Sequence, residues 1–330
     1  MKLKPPQSST VATIAGALGR LALALTACAA LAGSCSSGAE AAAPPPTVHT
    51  GAAEQVGFGS ATLTGHVEPH GSNTSYYFQY GPTAGYGEQT AVAEVTGNVT
   101  SQAVSVAISG LAPITTYHYR VIAVNAGGAS TGADRTLKTT KVPLSLQILV
   151  SPNPTLFGGS ATVQGTLSGT ENANRAVVLQ DNAFPYTAGF ANVGNPELTS
   201  TSGSFSFAVL SLTTATQFRV ATTTETPVVS PIATEGVAVQ VSAHIARARG
   251  RHRVRVYGTV SPAVNGMEVA IMRIVRGTNV RVAGAILHAR NAGSSRFSRV
   301  LRVRPGLYRV FAQITNGSLT SNSSTPLLIR

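Results

Sequence analysis

The acids and histidines that could carry out chemistry are few in this sequence and far apart. Asp134 and Asp181 are the two aspartates, and the seven histidines are scattered from position 49 to position 288. Acid/base catalysis on sugars needs two carboxyl groups about 5 to 9.5 Å apart. Glu68 with His70, or Asp181 with Glu171, are combinations to consider, but each lies beside turn-forming residues and predicts a solvated loop.

Motifs for metal, phosphate and hydrolase chemistry are absent from the sequence. There is no His-Glu-x-x-His, no acidic calcium-binding loop, no phosphate-binding glycine motif and no Gly-x-Ser-x-Gly. Both cysteines, Cys28 and Cys35, lie near the N-terminus, so no later domain can hold a disulfide or a cysteine metal site. We therefore expect a protein that is not an enzyme and that uses no metal or cofactor.

Positive charge is concentrated in the last third of the chain. Residues 237–330 contain 15 arginines, no lysine and no aspartate, and their single acid is Glu268. That segment has a formal charge of +14, whereas the preceding 236 residues, with 9 basic and 11 acidic groups, sum to −2. The last third therefore predicts affinity for anionic partners.

Arginines alternate with aliphatic residues in two strand-like segments, 253–257 and 299–304. This spacing predicts a shared, exposed sheet face, and a turn around Gly250 would add further arginines at its end. Guanidinium groups suit phosphates, sulfates and carboxylates because their forked donors bind two oxygens at once. The candidate polyanion-binding residues are Arg247, Arg249, Arg251, Arg253, Arg255, Arg299, Arg302 and Arg304.

The partners that suit this surface are anionic glycans of the cell envelope and anionic lipid headgroups. Nucleic acid is disfavoured, because the last third has only four aromatic residues and most of them belong to the predicted core. The alternative is a solvated face without a ligand. Arginine outnumbers lysine 20 to 4 in the whole chain, which indicates a compositional bias toward arginine.

One short string is repeated three times and sets the domain plan. Tyr119-Arg120-Val121 recurs as Phe218-Arg219-Val220 and as Tyr308-Arg309-Val310. Glycines at positions 65, 165 and 258 precede these arginines by 55, 54 and 51 residues, each within a strand-like segment. A period of about 100 residues is that of a two-sheet sandwich. We therefore predict an all-β chain of three tandem antiparallel β-sandwich domains after an export signal, over residues 47–140, 141–235 and 236–330.

The first predicted domain carries the most specific family resemblance. Residues 111–121, with Leu-x-Pro ahead of Tyr117, resemble the corner and following strand of fibronectin type III domains. The resemblance implies that the Tyr117 ring fills the sandwich while its hydroxyl bonds a backbone group upstream. Residues 76–81 are similar to a strand of bacterial cell-surface members of this family, and the chain resembles exported actinobacterial proteins that contain such domains. Because there is no Trp, the core must be filled by Tyr, Phe and aliphatic residues.

The second and third predicted domains resemble each other more than the first. Both have an apolar strand-like segment, at 176–180 and 268–272, and both have a Phe-Ser pair, at 205–206 and 297–298. They resemble immunoglobulin-like bacterial surface modules without the fibronectin corner. In the second, loop residues 181–186 include two aromatics that would either stack on a ligand or, as we expect, cover the sandwich end. Short linkers predict an elongated rod with limited hinging.

The N-terminal residues predict export. A basic start and a short apolar segment give a signal peptide over residues 1–27, and the string ending at Cys28 resembles a lipobox, which implies lipidation of that cysteine. The alternatives are cleavage after 39–41, which would release a soluble secreted protein, and a retained membrane anchor. Residues 28–46, rich in Ala, Gly, Ser and Pro, predict a flexible tether.

These features together predict a non-catalytic, exported cell-surface protein for adhesion, presentation or binding. The alternative function is that of a non-catalytic accessory subunit of an extracellular polysaccharide-acting enzyme system, since fibronectin type III modules often accompany such enzymes. A direct hydrolase would need an acid pair or triad that the sequence does not show. The ligand and the oligomeric state are not encoded in any of these spacings.

Overall fold

The computed structural model describes residues 43–314 and 316–330, and every regular element in them is a β-strand. Residues 44–330 form one compact unit. The predicted signal peptide, most of the predicted tether and the lipidation candidate Cys28 lie outside the described residues. The prediction of an all-β chain of antiparallel sandwiches is confirmed by the strand pairing.

The first sandwich packs two antiparallel sheets, in the orders β1-β2-β6 and β4-β3-β7-β8, with β5 beside β3 and β9 beside β7. Residues of β2, β3 and β7 face inward, so that Leu63, Phe78 and Tyr119 are fully buried and fill a core without Trp. The strands are β1 (Thr47–Thr50), β2 (Ser60–Glu68), β3 (Thr74–Gly81), β4 (Glu88–Gln89), β5 (Ala93–Val95), β6 (Gln102–Ser109), β7 (Thr116–Asn125), β8 (Gly128–Thr131) and β9 (Arg135–Lys138).

The corner tyrosine of the first sandwich forms the type of bond that the family resemblance implies. The Ala112 backbone N–H donates to the Tyr117 hydroxyl at 2.9 Å. Tyr119, two residues later, donates its hydroxyl to the Gly51 carbonyl at 2.8 Å. The first bond closes the bend that precedes β7, and the second ties β7 to backbone far away in the sequence.

The end of the predicted tether lies on this sandwich. Pro46 is buried, and the Asn125 side-chain amide donates to the Pro44 carbonyl at 3.1 Å. Pro44 therefore contacts the last residue of β7, and the flexible tether over residues 28–46 stays a prediction.

The second sandwich pairs the sheets β10-β12-β15 and β14-β13-β16-β17. The apolar segment predicted at 176–180 lies in a strand that begins at residue 176. The strands are β10 (Ser145–Ser151), β11 (Thr155–Leu156), β12 (Gly159–Ser168), β13 (Ala176–Ala183), β14 (Ala191–Leu198), β15 (Ser204–Leu212), β16 (Thr216–Thr222) and β17 (Ala233–Glu235).

The third sandwich pairs the sheets β19-β20-β24-β23 and β22-β21-β25-β26, and β27 also pairs with β25. Tyr308 donates its hydroxyl to the Arg304 carbonyl at 2.8 Å, so this sandwich has a local tyrosine bond that was not predicted for it. The strands are β18 (Val237–Ala238), β19 (Gln240–Arg247), β20 (Arg253–Ser261), β21 (Glu268–Val275), β22 (Thr278–Ile286), β23 (His288–Asn291), β24 (Ser294–Arg302), β25 (Gly306–Gln313), β26 (Asn322–Ser323) and β27 (Leu327–Ile329).

The repeated glycine has the same role in all three sandwiches. A methyl group at Gly65, Gly165 or Gly258 would press against a carbonyl oxygen of the preceding strand and approach a phenylalanine ring. In the second and third sandwiches that ring belongs to the repeated Phe-Ser pair, at Phe205 and Phe297. The glycine is therefore required by close packing between neighbouring strands.

The repeated arginine is a packing residue in the first two sandwiches. Arg120 donates to the Gln79 side chain at 3.0 and 2.9 Å, and its guanidinium carbon lies 4.4 Å from the centroid of an aromatic ring. Arg219 donates to Gln180 at 2.7 Å and likewise covers a ring, at 4.1 Å. In each case the two residues are directly opposed on neighbouring strands. These contacts stabilise the sheet.

The second and third sandwiches share one hydrophobic core, whereas the first has its own. Strand β11 pairs in parallel with β18, and the fully buried Glu235 accepts a hydrogen bond from the Thr155 backbone N–H at 2.7 Å. Phe184, one of the two loop aromatics, lies against Gly317 of the third sandwich. The expectation that this loop covers the sandwich end agrees with that contact, and the junction is a packed interface.

Candidate polyanion-binding site

The two arginine-containing strands predicted from the sequence are hydrogen-bonded neighbours. Strands β20 and β24 pair antiparallel, and Arg253 lies directly opposite Arg302. The inward residues of β20 alternate with exposed ones, so that Val254 and Val256 face the core while Arg253 and Arg255 face solvent. Three of the eight predicted arginines, at positions 253, 255 and 302, therefore share the outer face of one sheet.

Most of the remaining predicted arginines lie at one end of that sheet. Arg249 and Arg251 flank Gly250 in the turn between β19 and β20, where the glycine has a φ of +106°. Arg247 ends β19, and Arg304 lies in the loop after β24. We use the name end cluster for Arg247, Arg249, Arg251, Arg253, Arg302 and Arg304. Two cavities of ≈ 420 and ≈ 270 Å³ open among four of these residues and the adjoining His252.

Arg299 departs from the predicted surface. It lies opposite the fully buried Val256, so it occupies the core-facing register of β24 although its side chain is exposed. The physical reason is the spacing: Arg299 and Arg302 are three residues apart on a regularly paired strand, and an odd separation places two side chains on opposite faces.

Acidic neighbours do not neutralise these arginines. In the described part of the third sandwich the one ion pair joins Arg281 to Glu268, on the sheet that does not carry the predicted arginines. Like charges directly opposed across a strand pair repel each other, as Arg253 and Arg302 do. The direct opposition of Arg253 and Arg302 therefore disfavours the pairing of β20 with β24 at this position.

A groove on the outer face of the sheet lies beside the end cluster and was missed by the sequence reasoning. It has a volume of ≈ 650 Å³, and Arg255 is its single predicted member. The outer-face groove is lined by Ser242, His244, Arg255, Tyr257, Gly258, Thr259, His288, Arg290, Arg296, Phe297 and Ser298. The register explains their convergence, because His244 lies opposite Tyr257, Tyr257 opposite Ser298, and His288 opposite Arg296. No single sequence segment contains them.

The acids considered for catalysis have other partners in the structure. Glu171 pairs with Lys141 and Arg175, and the hydrogen bond from Lys141 lowers the pKa of Glu171. His70 contacts the Thr47 hydroxyl at 2.8 Å, and Asp181 is paired within a sheet.

A second polar cluster, on the first sandwich, joins Tyr86, His118 and Asp134. The Asp134 carboxylate accepts from the Tyr86 hydroxyl at 2.9 Å and lies 2.8 Å from His118 Nδ1. The bond with His118 holds the pKa of Asp134 below its ordinary value, and burial raises the pKa of Tyr86. The cluster fixes the loop before β4 against the β8–β9 connection, which is a structural role.

Within residues 43–314 and 316–330, no three His, Cys, Asp or Glu side chains come together as metal ligands. The part of the chain that the structure describes contains no apolar helix of membrane-spanning length.

No protein-family model and no curated protein matches this sequence. Among solved structures, the sensor domain of the anti-sigma factor RsgI4 of Pseudobacteroides cellulosolvens is 22% identical, covering 29% of this chain and 89% of its own, with a TM-score of 0.23. The chicken CNTN1 FN1-FN3 domains are 16% identical, with 86% and 95% covered and a TM-score of 0.29. A tetra-tandem repeat from the extending region of a large adhesion protein is 14% identical, with 88% and 75% covered and a TM-score of 0.30. Since these scores lie below 0.5, the fold assignment rests on the strand pairing described above.

Proposed function

We propose that this chain is a non-catalytic binding protein whose third sandwich binds anionic polymers through the end cluster and the adjoining outer face. The observation that carries the proposal is the direct opposition of Arg253 and Arg302 with no acid paired to either in the described residues. A polymer with repeated carboxylate, sulfate or phosphate groups would relieve that repulsion and accept forked hydrogen bonds. Anionic envelope glycans and anionic lipid headgroups are the proposed partners.

Export and surface display complete the proposal and are supported by the sequence alone. A signal peptide and lipidation of Cys28 would place the binding domain at the cell surface, for adhesion or presentation. Labelling cells with a palmitate analogue tests the anchor: the native chain is labelled and Cys28→Ala is not, whereas an unlabelled native chain contradicts lipidation.

The binding proposal is tested with the full chain on immobilised dextran sulfate at several salt concentrations. We expect Arg253→Ser/Arg302→Ser to weaken binding and to reduce the slope of log affinity against log salt by about 2, since each lost cation–anion contact removes nearly one unit. The matched control is Arg276→Asn/Lys138→Thr, which removes the same charge from exposed positions elsewhere. Equal losses in both double variants would mean that net charge alone acts, and unchanged binding in the first would overturn the proposal.

A further inference from the structure

The outer-face groove has an uncharged counterpart on the second sandwich. There, a groove of ≈ 670 Å³ lies over Gly165 and Phe205, as the outer-face groove lies over Gly258 and Phe297. The strand registers correspond: Gly165 is opposite Phe205, and Gly258 is opposite Phe297. The two grooves therefore occupy the same place on the same type of sheet.

The side chains that line the two grooves differ in chemistry at matching positions. Where the second sandwich has Leu149, Gln164 and Ser204, the third has His244, Tyr257 and Arg296, as the pairings across each sheet show. The outer-face groove of the third sandwich is also lined by Arg255, Arg290 and His288. Solvation of a sheet face requires polar residues but no aromatic ring, so the joint appearance of a ring and cations points to recognition.

The aromatic ring and one arginine are already held in place. Arg255 Nε donates to the Ser298 hydroxyl at 2.9 Å, and its guanidinium carbon lies 5.1 Å from the centroid of the Tyr257 ring. The His244 ring lies 5.7 Å from the Tyr257 ring on the neighbouring strand, tilted by 36°. This arrangement orients the guanidinium group before a ligand arrives, which lowers the entropy cost of binding.

The cations at the other side of the groove remain available. Arg290 and Arg296 donate no side-chain hydrogen bond to the described residues, and neither pairs with an acid there. The hydroxyl groups of Ser242, Thr259 and Ser298 also line the groove. The groove thus combines anion donors, sugar-type hydrogen-bonding groups and one ring surface.

We infer that the outer-face groove is a subsite for one acidic sugar unit of a glycan, with its carboxylate or sulfate on the guanidinium groups of Arg255, Arg290 and Arg296. The sugar's C–H face packs on Tyr257, and its hydroxyls meet the serine and threonine side chains. A single aromatic residue fits one sugar ring, whereas single-stranded nucleic acid is bound by successive stacking platforms. The inference rests on the proposed function and names the ligand class and the residues that select it.

The test compares full-chain variants whose replacements already occupy the matching positions of the second sandwich, which guards against misfolding. Tyr257→Gln changes no charge and Arg296→Ser removes one, while Arg276→Asn, in the β21–β22 turn, is the charge-matched control. The probes are polygalacturonate, dextran sulfate, neutral dextran and a thymidine oligonucleotide at one ionic strength. We expect Tyr257→Gln and Arg296→Ser each to weaken binding of the acidic glycan that the native chain binds more tightly by about tenfold. The control variant should weaken the same binding by less than about twofold.

The outcomes separate this inference from the proposed function. Full affinity in Tyr257→Gln, together with lost affinity in Arg253→Ser/Arg302→Ser, would overturn the subsite and leave the polyanion surface in place. Acidic glycans that bind no better than neutral dextran would overturn both. An oligonucleotide that binds more tightly than either acidic glycan, and depends on Tyr257, would show a nucleic-acid site and also overturn the inference. The preferred acidic probe identifies the anion as carboxylate or sulfate.

Discussion

At the scale of single residues, the arginines fall into two groups with different environments. Arg120 and Arg219 are each held by a glutamine on the neighbouring strand and by an aromatic ring. The equivalent Arg309 lies opposite Met272, and its Nε atom is buried with no hydrogen-bond partner in the described residues. The third sandwich therefore lacks a stabilising contact that the other two have.

Restoring the glutamine should stabilise the third sandwich. We expect Met272→Gln to raise the free energy of unfolding by about 0.5 to 1.5 kcal/mol, because Arg309 Nε gains an acceptor that the native methionine does not provide. Met272→Leu, which supplies no acceptor, is the control in thermal and urea unfolding. A gain no larger than that of Met272→Leu would show that Arg309 does not need the acceptor.

Glu235 gives the stability a dependence on pH. Burial raises the pKa of Glu235, although the hydrogen bond from the Thr155 N–H opposes the change. The folded state therefore keeps its proton to higher pH than the unfolded state, and stability falls as pH rises from the ordinary glutamate range through the raised pKa.

Neutralising this side chain should remove the pH effect. At pH 8 we expect Glu235→Gln to have a free energy of unfolding higher than that of the native chain by on the order of 1 kcal/mol, because a buried carboxylate is replaced by a neutral amide. At pH 4 the two proteins should have similar stability. A variant that is less stable than the native chain at pH 8 would show that Glu235 is favourable as a carboxylate.

The sequence predicted part of this residue-level arrangement. Alternation of arginine with aliphatic residues placed Arg253 and Arg255 correctly on an outer face, since one strand keeps a strict period of two. The groove residues His244, His288 and Arg296 were missed, because each is isolated in the sequence and only the register of separate strands brings them together.

At the scale of strands, the repeated glycine lets the neighbouring strand pack closely against it in each sandwich. Gly258 lies between the Ser242 carbonyl and the Phe297 ring, and a methyl group has no room there. The spacing of this glycine from the arginine string predicted three similar sandwiches. The phenylalanine ring beside the glycine was not predictable, because it comes from β3 in the first sandwich, from β15 in the second and from β24 in the third.

Adding a methyl group at this glycine should destabilise the sandwich. We expect Gly258→Ala to lower the free energy of unfolding by about 1 to 3 kcal/mol, because the strands or the phenylalanine ring must move apart. Gly293→Ala, in the turn before β24, is the control, since its methyl group would meet only the Asn291 side chain at 3.8 Å. Equal stability of the two variants in urea unfolding would contradict this packing role.

At the scale of the whole molecule, the described residues contain two hydrophobic cores for three sandwiches. The sequence predicted separate domains with short linkers, and the rod with limited hinging stays a prediction. The shared core was not predictable, because it depends on contacts such as Thr155 with Val237, which lie far apart in the chain.

This arrangement predicts two thermal transitions for the full chain. The first sandwich should unfold alone, and the second and third should unfold together because their apolar side chains form one continuous cluster. Asn153→Ala, which removes junction bonds to Thr234 and Gly236, should lower only the transition of the joined pair. Three calorimetric transitions in the native chain would contradict the shared core. So would a shift of both transitions in Asn153→Ala.

The parallel pairing of β11 with β18 also bears on how such domains can spread by gene recombination. A fragment cut near residue 236 would carry the fully buried Val237 and Val239 without the neighbouring strand that covers them. Such a fragment would be prone to aggregation in a new host protein, because it exposes apolar side chains beside unpaired backbone groups. The unit that can be inherited intact is therefore the joined pair of sandwiches, so the cationic third sandwich would be expected to move together with the second.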